Sequence, residues 1–567
     1  MFIDAVHAGD DIITWVRDDV GALHMLTDPA PYYAYVKDDN GTEMSMFGDK
    51  VKRHDFQTRG EYNRFVDSHI HIFESDITAL HKHLSDTYFN APDHTPNVGF
   101  LDIETDYDLK RGTGYPTPDN PFGIINALSL YDKTRDEFHL LYVHNVPVRI
   151  DTGEDVVHMH QCQTERQLLD IFFILIEDID ILSGWNSEGY DIPYIVLRSR
   201  MLYGEAAADR KFCRAGFKLK EQTGKDKFYN ERTKYVLVGR VHLDYMELYE
   251  KFTFIQQPSM KLENIAQAEL GYGKINYDGD LGELYRTDIK KFLEYNLHDS
   301  RLLRDLEEKK KLIQLAVQMS RKATIKINEV MGTIKFLEHA IRNYAHFERA
   351  QPIVLPDRGD GDKEGKFIGA WVADPVTARY GWASSIDLAS LYPAILRSLG
   401  MSPETFIMQC DGREADFLRI IEGNNDEDGI IIHMKQSGDV LQTTPADLRE
   451  LIKEEGYTMS ANGSIFNGEV GLIPEVLGVW FAERKRTKNM SKEFFKNGDK
   501  EKGLYYDMLQ YIYKVQLNSL YGAISNKYSR FFDLDIAISV TLTGQYINKF
   551  QAWKSDQLMR EVNEASK

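Results

Sequence analysis

No stretch of 18 apolar residues occurs anywhere in the 567-residue chain, which excludes a helix able to span a bilayer. The strongest candidate, "IFFILIEDIDIL" at 171 to 182, is interrupted by acids. Cysteine is scarce: Cys162, Cys213 and Cys410 stand far apart with no C-x-x-C pair, so neither a disulfide framework nor a cysteine zinc site is indicated. The opening "MFIDAVHAGDD" has no basic segment followed by an apolar one, so no export signal is expected and a cytosolic protein is the expectation. Internal repeats and long low-complexity tracts are lacking too. Cations are outnumbered, 68 Lys and Arg against 88 Asp and Glu, for a net charge of -20. That balance argues against a chain coated for phosphate binding. It leaves room for a local basic groove, and for acids that hold divalent cations.

What is present is core material. A composition of 43% hydrophobic and 12% aromatic residues can fill several cores, and the length sets an expectation of about three or four domains. Polar, glycine-rich stretches mark candidate boundaries at 90 to 97, 357 to 366, 422 to 429 and 496 to 503. Between the first two the pattern alternates strand and helix: "VGFLDIET" and "DILSGWNS" read as short buried strands, and 287 to 321 reads as one helix or more. After 470 two long helical patterns, about 475 to 496 and 503 to 522, flank a charged turn and predict a helical hairpin.

Four carboxylates draw attention in the first half. In "FLDIETD", Asp102 and Glu104 are two apart on a strand, so both side chains emerge on one face. Asp191 in "LSGWNSEGYDIPYI" follows a strand and a turn and opens a helix, and "YNLHDSRLL" sets Tyr295 and Asp299 four apart on one helix face. Singly, each is an ordinary solvated acid. Jointly, they predict a cage of oxygen ligands for two divalent ions, Mg2+ with Mn2+ able to substitute, and Tyr295 to orient an attacking water. The order D-x-E, N-x-x-x-Y-D, Y-x-x-x-D resembles the tyrosine-containing DEDD class of 3′–5′ proofreading exonucleases.

"SSIDLASLYPAILRSLG" (384 to 400) resembles motif A of the family B DNA polymerases. The resemblance implies that Asp387, at a strand end, binds both polymerase metals with the backbone carbonyl of Leu388, and that the Tyr392 ring under the sugar excludes a 2′-hydroxyl. Read without it, Asp387 is a helix cap and Tyr392 a core residue. The hairpin adds an independent argument. With its turn near residue 500, Arg484 lies about 24 Å up one arm and Lys514 about 21 Å up the other. Lys488 sits one turn nearer the turn, so three cations line a slot suited to a triphosphate. "WFAERKRTK" and "KVQLNSLYG" are similar to the family's fingers helix and motif B. They imply that Arg484, Lys488 and Lys514 grip the triphosphate and that Asn518 and Tyr521 contact the nascent base pair. "FIGAWVADP" (367 to 375) resembles the segment joining exonuclease and polymerase regions, with Gly369 and Ala370 close to template. The resemblance spans nearly the whole chain and is nearest to the replicative polymerases of T-even-type bacteriophages.

The family also needs a D-T-D motif beyond motif B, and the 567 residues contain none. The expectation is therefore the N-terminal subunit of a split polymerase, completed by a C-terminal subunit that carries D-T-D and the thumb. The turn at 496 to 503 is shorter than the family's usual excursion. Expected partners are single-stranded DNA, primer-template DNA and deoxynucleoside triphosphates, with a sliding clamp and a single-strand-binding protein reached through that second subunit. No membrane partner is expected, and the expected location is the cytoplasm of an infected bacterial host. The alternatives are a stand-alone exonuclease with an inactive polymerase half, a non-catalytic nucleic-acid-binding regulator, and an artificial truncation. The architecture expected is α/β and α+β multidomain: an N-terminal domain (1 to 97 and 316 to 356), a ribonuclease-H-like exonuclease (98 to 315), a partial palm (357 to 470 and 523 to 567) and helical-hairpin fingers (471 to 522), without a thumb.

Overall fold

The computed structural model describes residues 2–112, 114–225, 231–253, 256–359, 369–379, 386–423 and 428–565. The boundary stretches 357 to 366 and 422 to 429 lie partly outside the described residues, as do Phe367 and Ile368 of the joining segment and Ser384 and Ser385 of the motif A stretch. Two compact units emerge, Met1–Pro31 with Ala79–Met331, and Tyr32–Thr78 with Gly332–Lys567. The first 97 residues are thus shared between them.

The first unit is built on a six-stranded mixed sheet, ordered Val157–Cys162, Glu137–Val143, Ile125–Asp132, Val98–Thr105, Ile181–Gly184, Val241–Asp244. The middle three are antiparallel neighbours; Ile181–Gly184 pairs in parallel with Val98–Thr105 and Val241–Asp244. Helix Glu165–Leu175 packs against Glu137–Val143 and Val157–Cys162, and helix Ile289–Lys310 packs against Val98–Thr105 and Ile125–Asp132. Every residue of Ile125–Asp132 is buried, as a strand covered by helices on both faces requires. The 287 to 321 pattern is two helices. Ile289–Lys310 is capped by Asp288, which accepts from the Lys291 N–H, and stops where Lys311 turns left-handed at φ 57°. Leu312–Ala323 then follows as a separate helix.

A three-stranded antiparallel sheet, Phe2–Ala8, Asp11–Arg17 and Leu23–Pro29, is fastened to this core by charge. Arg17 Nε and Arg214 Nη1 donate to the fully buried Asp180 at 2.5 and 2.9 Å, and Asp180 also accepts the Asn97 N–H. Removing one partner from such a buried cluster costs about 3–5 kcal/mol.

The second unit holds two five-stranded sheets. One runs Ile353–Val354, Glu43–Ser45, Lys50–Phe56, Tyr32–Lys37, Ile72–Phe73, so the 32 to 78 segment is completed by a strand from far along the chain. Glu74 secures that junction. It is fully buried at φ 54°, bonded to Arg342 and His346, and accepts the Leu355 N–H. Burial alone would raise its pKa, but His346 and Arg342 outweigh that and hold it well below the usual range. The other sheet, Val440–Thr443, Ile430–Met434, Phe406–Cys410, Ser464–Phe466, Thr458–Met459, is antiparallel and packs helices Glu414–Glu422 and Pro445–Glu454 over its apolar residues.

Helices Leu472–Lys496 and Lys500–Ile524 form the hairpin. Phe494 stacks on Tyr506 with centroids 5.3 Å apart and planes 2° off parallel, and Ser491 Oγ donates to the Gly503 carbonyl. Gly503 has to lack a side chain, since a Cβ there would come within 2.7 Å of the Phe495 ring. Helix Leu534–Ala565 follows and packs against helix Leu391–Ser398. Among the described residues no helix is long and apolar enough to cross a membrane.

Candidate active site

Four acids meet at the strand Val98–Thr105. Asp102 and Glu104 project from one face, and helix Ile289–Lys310 crosses that face so that Asp299 completes a set of carboxylate oxygens all within 4.8 Å of one another. Asp191 joins from the other side. The turn after Ile181–Gly184 leads into helix Asp191–Tyr203, and Asp191 Oδ1 accepts the N–H of Ile103, the residue between Asp102 and Glu104, at 3.1 Å. That approach depends on Gly184, where a Cβ would lie 2.7 Å from the Leu101 carbonyl oxygen. All four exonuclease acids named from sequence are therefore neighbours, and Tyr295 stands beside them on the same helix as Asp299.

The electrostatics follow from crowding. Asp102 and Glu104 keep part of their surface open, yet protein encloses their carboxyl groups on most sides. Burial, then Asp299, Glu104 and Asp191, raises Asp102 well above the carboxylate range. Burial and Asp299 push Glu104 up to about 8, against Lys274. Burial pushes Asp191 to about 7, against the Ile103 N–H that favours its charged form. Asp299 is raised by burial and pulled back by Lys274. Like charges crowded together in a low-dielectric place resist ionisation until a cation joins them.

Lys274 is the cation that sequence reasoning missed. Its Nζ donates to Asp299 Oδ2 at 2.5 Å and to the Tyr295 hydroxyl oxygen at 2.8 Å. The loop that carries it is held to the Asp299 helix by His298, whose Nε2 lies 2.8 Å from the Gly273 carbonyl. Asn296, also missed, donates from Nδ2 to Asp102 Oδ2 at 2.8 Å. Asn296 adjoins Tyr295 and stands three residues before Asp299, a signal that was readable; a lone lysine in a loop leaves none.

Asp102 and Asp191 line a cleft of about 660 Å³, together with Trp185, Asn186, Tyr190 and Lys274, among others. Its size suits a nucleotide. Asp299 Oδ1 is buried without a hydrogen-bond partner, and ionised carboxylates can only accept. An unpaired acceptor among further acceptors fits a divalent cation, for which Asp102, Glu104, Asp299 and Asp191 are the oxygen donors.

In the second unit the predicted residues are less converged. Asp387 is exposed in irregular chain, and the stretch from 380 to 385, on which the expected strand falls, lies outside the described residues. It is not the helix cap, since Ser390 holds that position before Leu391–Ser398. Leu388 is half-buried, and Gly369 and Ala370 are exposed, with the Gly369 carbonyl accepting from Gln545 Nε2 at 2.6 Å. Tyr392 and Tyr521, 129 positions apart by their numbers, do meet, ring centroids 4.6 Å apart. Tyr521 is fixed by Thr541, hydroxyl to hydroxyl at 2.5 Å, and Tyr392 lies against Gly544, where a Cβ would come within 3.0 Å of its ring. The pairing of Phe494 with Tyr506 sets the hairpin register, which carries Arg484 to within a turn of the level of Lys514. Arg484 and Lys514 are half-buried; Lys488 and Asn518 are exposed.

Comparison with known proteins agrees with both halves. The exonuclease domain of DNA polymerase family B matches residues 56–265, and DNA polymerase family B matches residues 343–562. Tyr295 and Asp299 fall outside both matches. The DNA-directed DNA polymerase of Escherichia phage RB69 is 27% identical over 531 residues, covering 85% of this chain and 57% of that protein. That of Enterobacteria phage T4 is 27% identical over 537 residues, covering 82% and 56%. DNA polymerase 1 of Aeropyrum pernix is 22% identical over 487 residues, covering 83% and 44%. The chain spans about half the length of these relatives. With the family's exonuclease and polymerase regions matched in the family's order, the chain belongs to the family B DNA polymerases.

Proposed function

We propose that the first unit is a 3′–5′ exonuclease that removes nucleotides from single-stranded DNA, and that the second carries the nucleotide-selecting part of a DNA polymerase. The convergence of Asp102, Glu104 and Asp299, with Asp191 bonded between the first two, carries the exonuclease reading. Mg2+ or Mn2+ held there would supply an activated water and neutralise the phosphate and leaving oxygen. The protein's own part is positional. Asn296 fixes Asp102, and Lys274 fixes Asp299 while donating to Tyr295. The Tyr295 oxygen thereby accepts from the ammonium, and its hydroxyl is held beside Asp299, where it would orient a water. The cleft admits a terminal nucleotide between Trp185, Tyr190 and the acids.

For the polymerase half, Asp387 and the Leu388 carbonyl would hold metal, and Tyr392, braced by Tyr521 and the Gly544 helix, would test the sugar. Arg484, Lys488 and Lys514 would face the triphosphate, Asn518 the base pair, and Gly369 and Ala370 the template. Primer extension asks for further carboxylates of the D-T-D kind, which these residues lack; we propose that a second polypeptide supplies them, together with the thumb and any contacts to a clamp or single-strand-binding protein. The division into N-terminal, exonuclease, palm and fingers parts, and action in the cytoplasm of an infected bacterium, belong to the same proposal.

A stand-alone exonuclease is the second reading, favoured by one observation. Among the described residues Asp387 joins no group of converging acids. The test is digestion of a 3′-labelled single strand by the 567-residue chain with Mg2+. Stepwise loss of 3′ nucleotides, abolished by the double change Asp102→Ala, Glu104→Ala, supports the proposal, and digestion that survives the double change overturns it.

A further inference from the structure

On the opposite face of the six-stranded sheet lies a group of side chains that the carboxylate site does not use. Strands Glu137–Val143 and Val157–Cys162 run parallel with His139 opposite His158. The alternation of each strand places Glu137 and His139 on one face together with His158 and His160. Their contacts are close. His158 Nε2 is 3.0 Å from Glu137 Oε2, His139 Nε2 is 3.4 Å from Glu137 Oε1, and His139 Nδ1 is 3.2 Å from His160 Nε2. The rings are stacked, His139 with His158 at 5.0 Å and with His160 at 5.4 Å.

The two sites are distinct. Asp102 pairs across the ladder with Ser129, Ser129 with Leu140, and Leu140 with Met159. Ser129 Oγ donates to the Asn296 carbonyl on the Asp299 helix, so that row faces the acids, and the adjoining row of His139 and His158 faces away. The histidines stand two and three strands over from Asp102, about 10 to 14 Å along the sheet.

We propose that Glu137, His139 and His158, with His160 behind His139, form a separate binding site for a divalent transition cation of the zinc type. Imidazole nitrogens with one carboxylate are the donor set such ions select, whereas Mg2+ favours oxygen alone. With bonds near 2.0–2.1 Å, neighbouring donors in a tetrahedral site are about 3.3 Å apart, close to the separations of His139 from Oε1 and of His158 from Oε2 of Glu137. His160 has the outer role. Accepting from His139 Nδ1–H, it would turn the bare Nε2 of His139 toward the ion and fix the ring. The donors stand in pairs and do not all converge within 4.8 Å as the Asp102 set does, so binding requires the exposed His158 ring to swing inward. Its exposure also gives the ion an entry path. The bound ion would staple the edge strand to its neighbour. The loop between those strands is already tied to the Asp299 helix through Asp155, which accepts from Arg301 and Arg304 at 2.6 Å.

The test is calorimetric titration of the full chain with Zn2+ in saturating Mg2+, which keeps the carboxylates occupied, with Co2+ visible absorption as a second readout. One Zn2+ per chain that Mg2+ does not displace is expected, with a four-coordinate Co2+ spectrum. His158→Ala and Glu137→Gln, both at or near the surface and expected to fold, should each abolish saturable binding, and His160→Ala should weaken it about 10- to 100-fold. A Zn2+-dependent rise in Tm should vanish in the same variants. Zn2+ binding unchanged in both His158→Ala and Glu137→Gln, or no binding that resists Mg2+, overturns the proposal and leaves the four side chains as a hydrogen-bonded relay.

Discussion

Asp102 lies on a strand paired on both sides, whereas Asp387 lies in irregular, exposed chain with no partner strand among the described residues. The ladder around Asp102 sets the direction of its side chain, the crossing helix brings Asp299 to it, and a buried lysine and an asparagine hold the result in place. Around Asp387 none of these supports is present among the described residues. Among the predicted site residues of the second unit, the well-placed pair is Tyr392 with Tyr521, whose contact depends on helices alone. Helices satisfy their own backbone groups, while a strand end is positioned only by its neighbours. A catalytic carboxylate is therefore as well placed as the sheet that carries it.

The largest effect should come from dismantling the better-built side. Asp102→Ala, Glu104→Ala should lower exonuclease turnover by several orders of magnitude, because it removes two charges that hold the cations; single-turnover digestion with Mg2+ measures it. Next is the poorly supported side. Primer extension by the 567 residues alone should be undetectable. It should appear when a polypeptide carrying D-T-D is added, and vanish again with Asp387→Ala. Extension by the isolated chain at the rate of the mixture would remove the contrast between the two acids.

A third experiment compares acids among acids with an acid among cations. Glu74→Gln leaves Arg342 and His346 facing a neutral partner and should destabilise the second unit by about 3–5 kcal/mol, read by urea unfolding. The sign with pH is opposite to that of the exonuclease cluster. Glu74 is held below its ordinary pKa of about 4.3, so its stabilising contribution is present above that value and is lost as pH falls through the lower folded-state value. The difference between wild type and Glu74→Gln should shrink in that acid window. The smallest effect belongs to Tyr295→Phe, which removes one hydroxyl and one hydrogen bond from Lys274 but no metal ligand. A loss of about tenfold or less in turnover, with Mg2+ affinity unchanged, is the expected result.

Much of the site was legible in the sequence because its parts are periodic. Asp102 and Glu104 share a strand face by alternation, Tyr295 and Asp299 share a helix face by the four-residue step, and Arg484 and Lys514 reach one level by counting from a turn. Lys274 was missed for a physical reason: it acts by contacts with residues on another element, and no local period encodes that, whereas Asn296, beside Tyr295, stood where the helical step could have found it. The reading of 287 to 321 left the number of helices open, and only the position of the break at Lys311 was hidden, since a left-handed residue that is not glycine leaves no mark in composition.

By itself the sequence determined which elements form and which chemistry they carry. Alternating apolar residues commit Val98–Thr105 to a buried strand, and the helical repeats commit 472 to 524 to a hairpin, because burial of apolar surface depends on period. Only the tertiary structure decided which of those groups meet. It completed the 32 to 78 sheet with Ile353–Val354, set Lys274 among the acids, laid Tyr392 on Tyr521, and gathered three histidines and Glu137 on the far face of the exonuclease sheet. Such meetings depend on strand order and helix crossing, which are settled by the packing of the whole core and not by any segment of it.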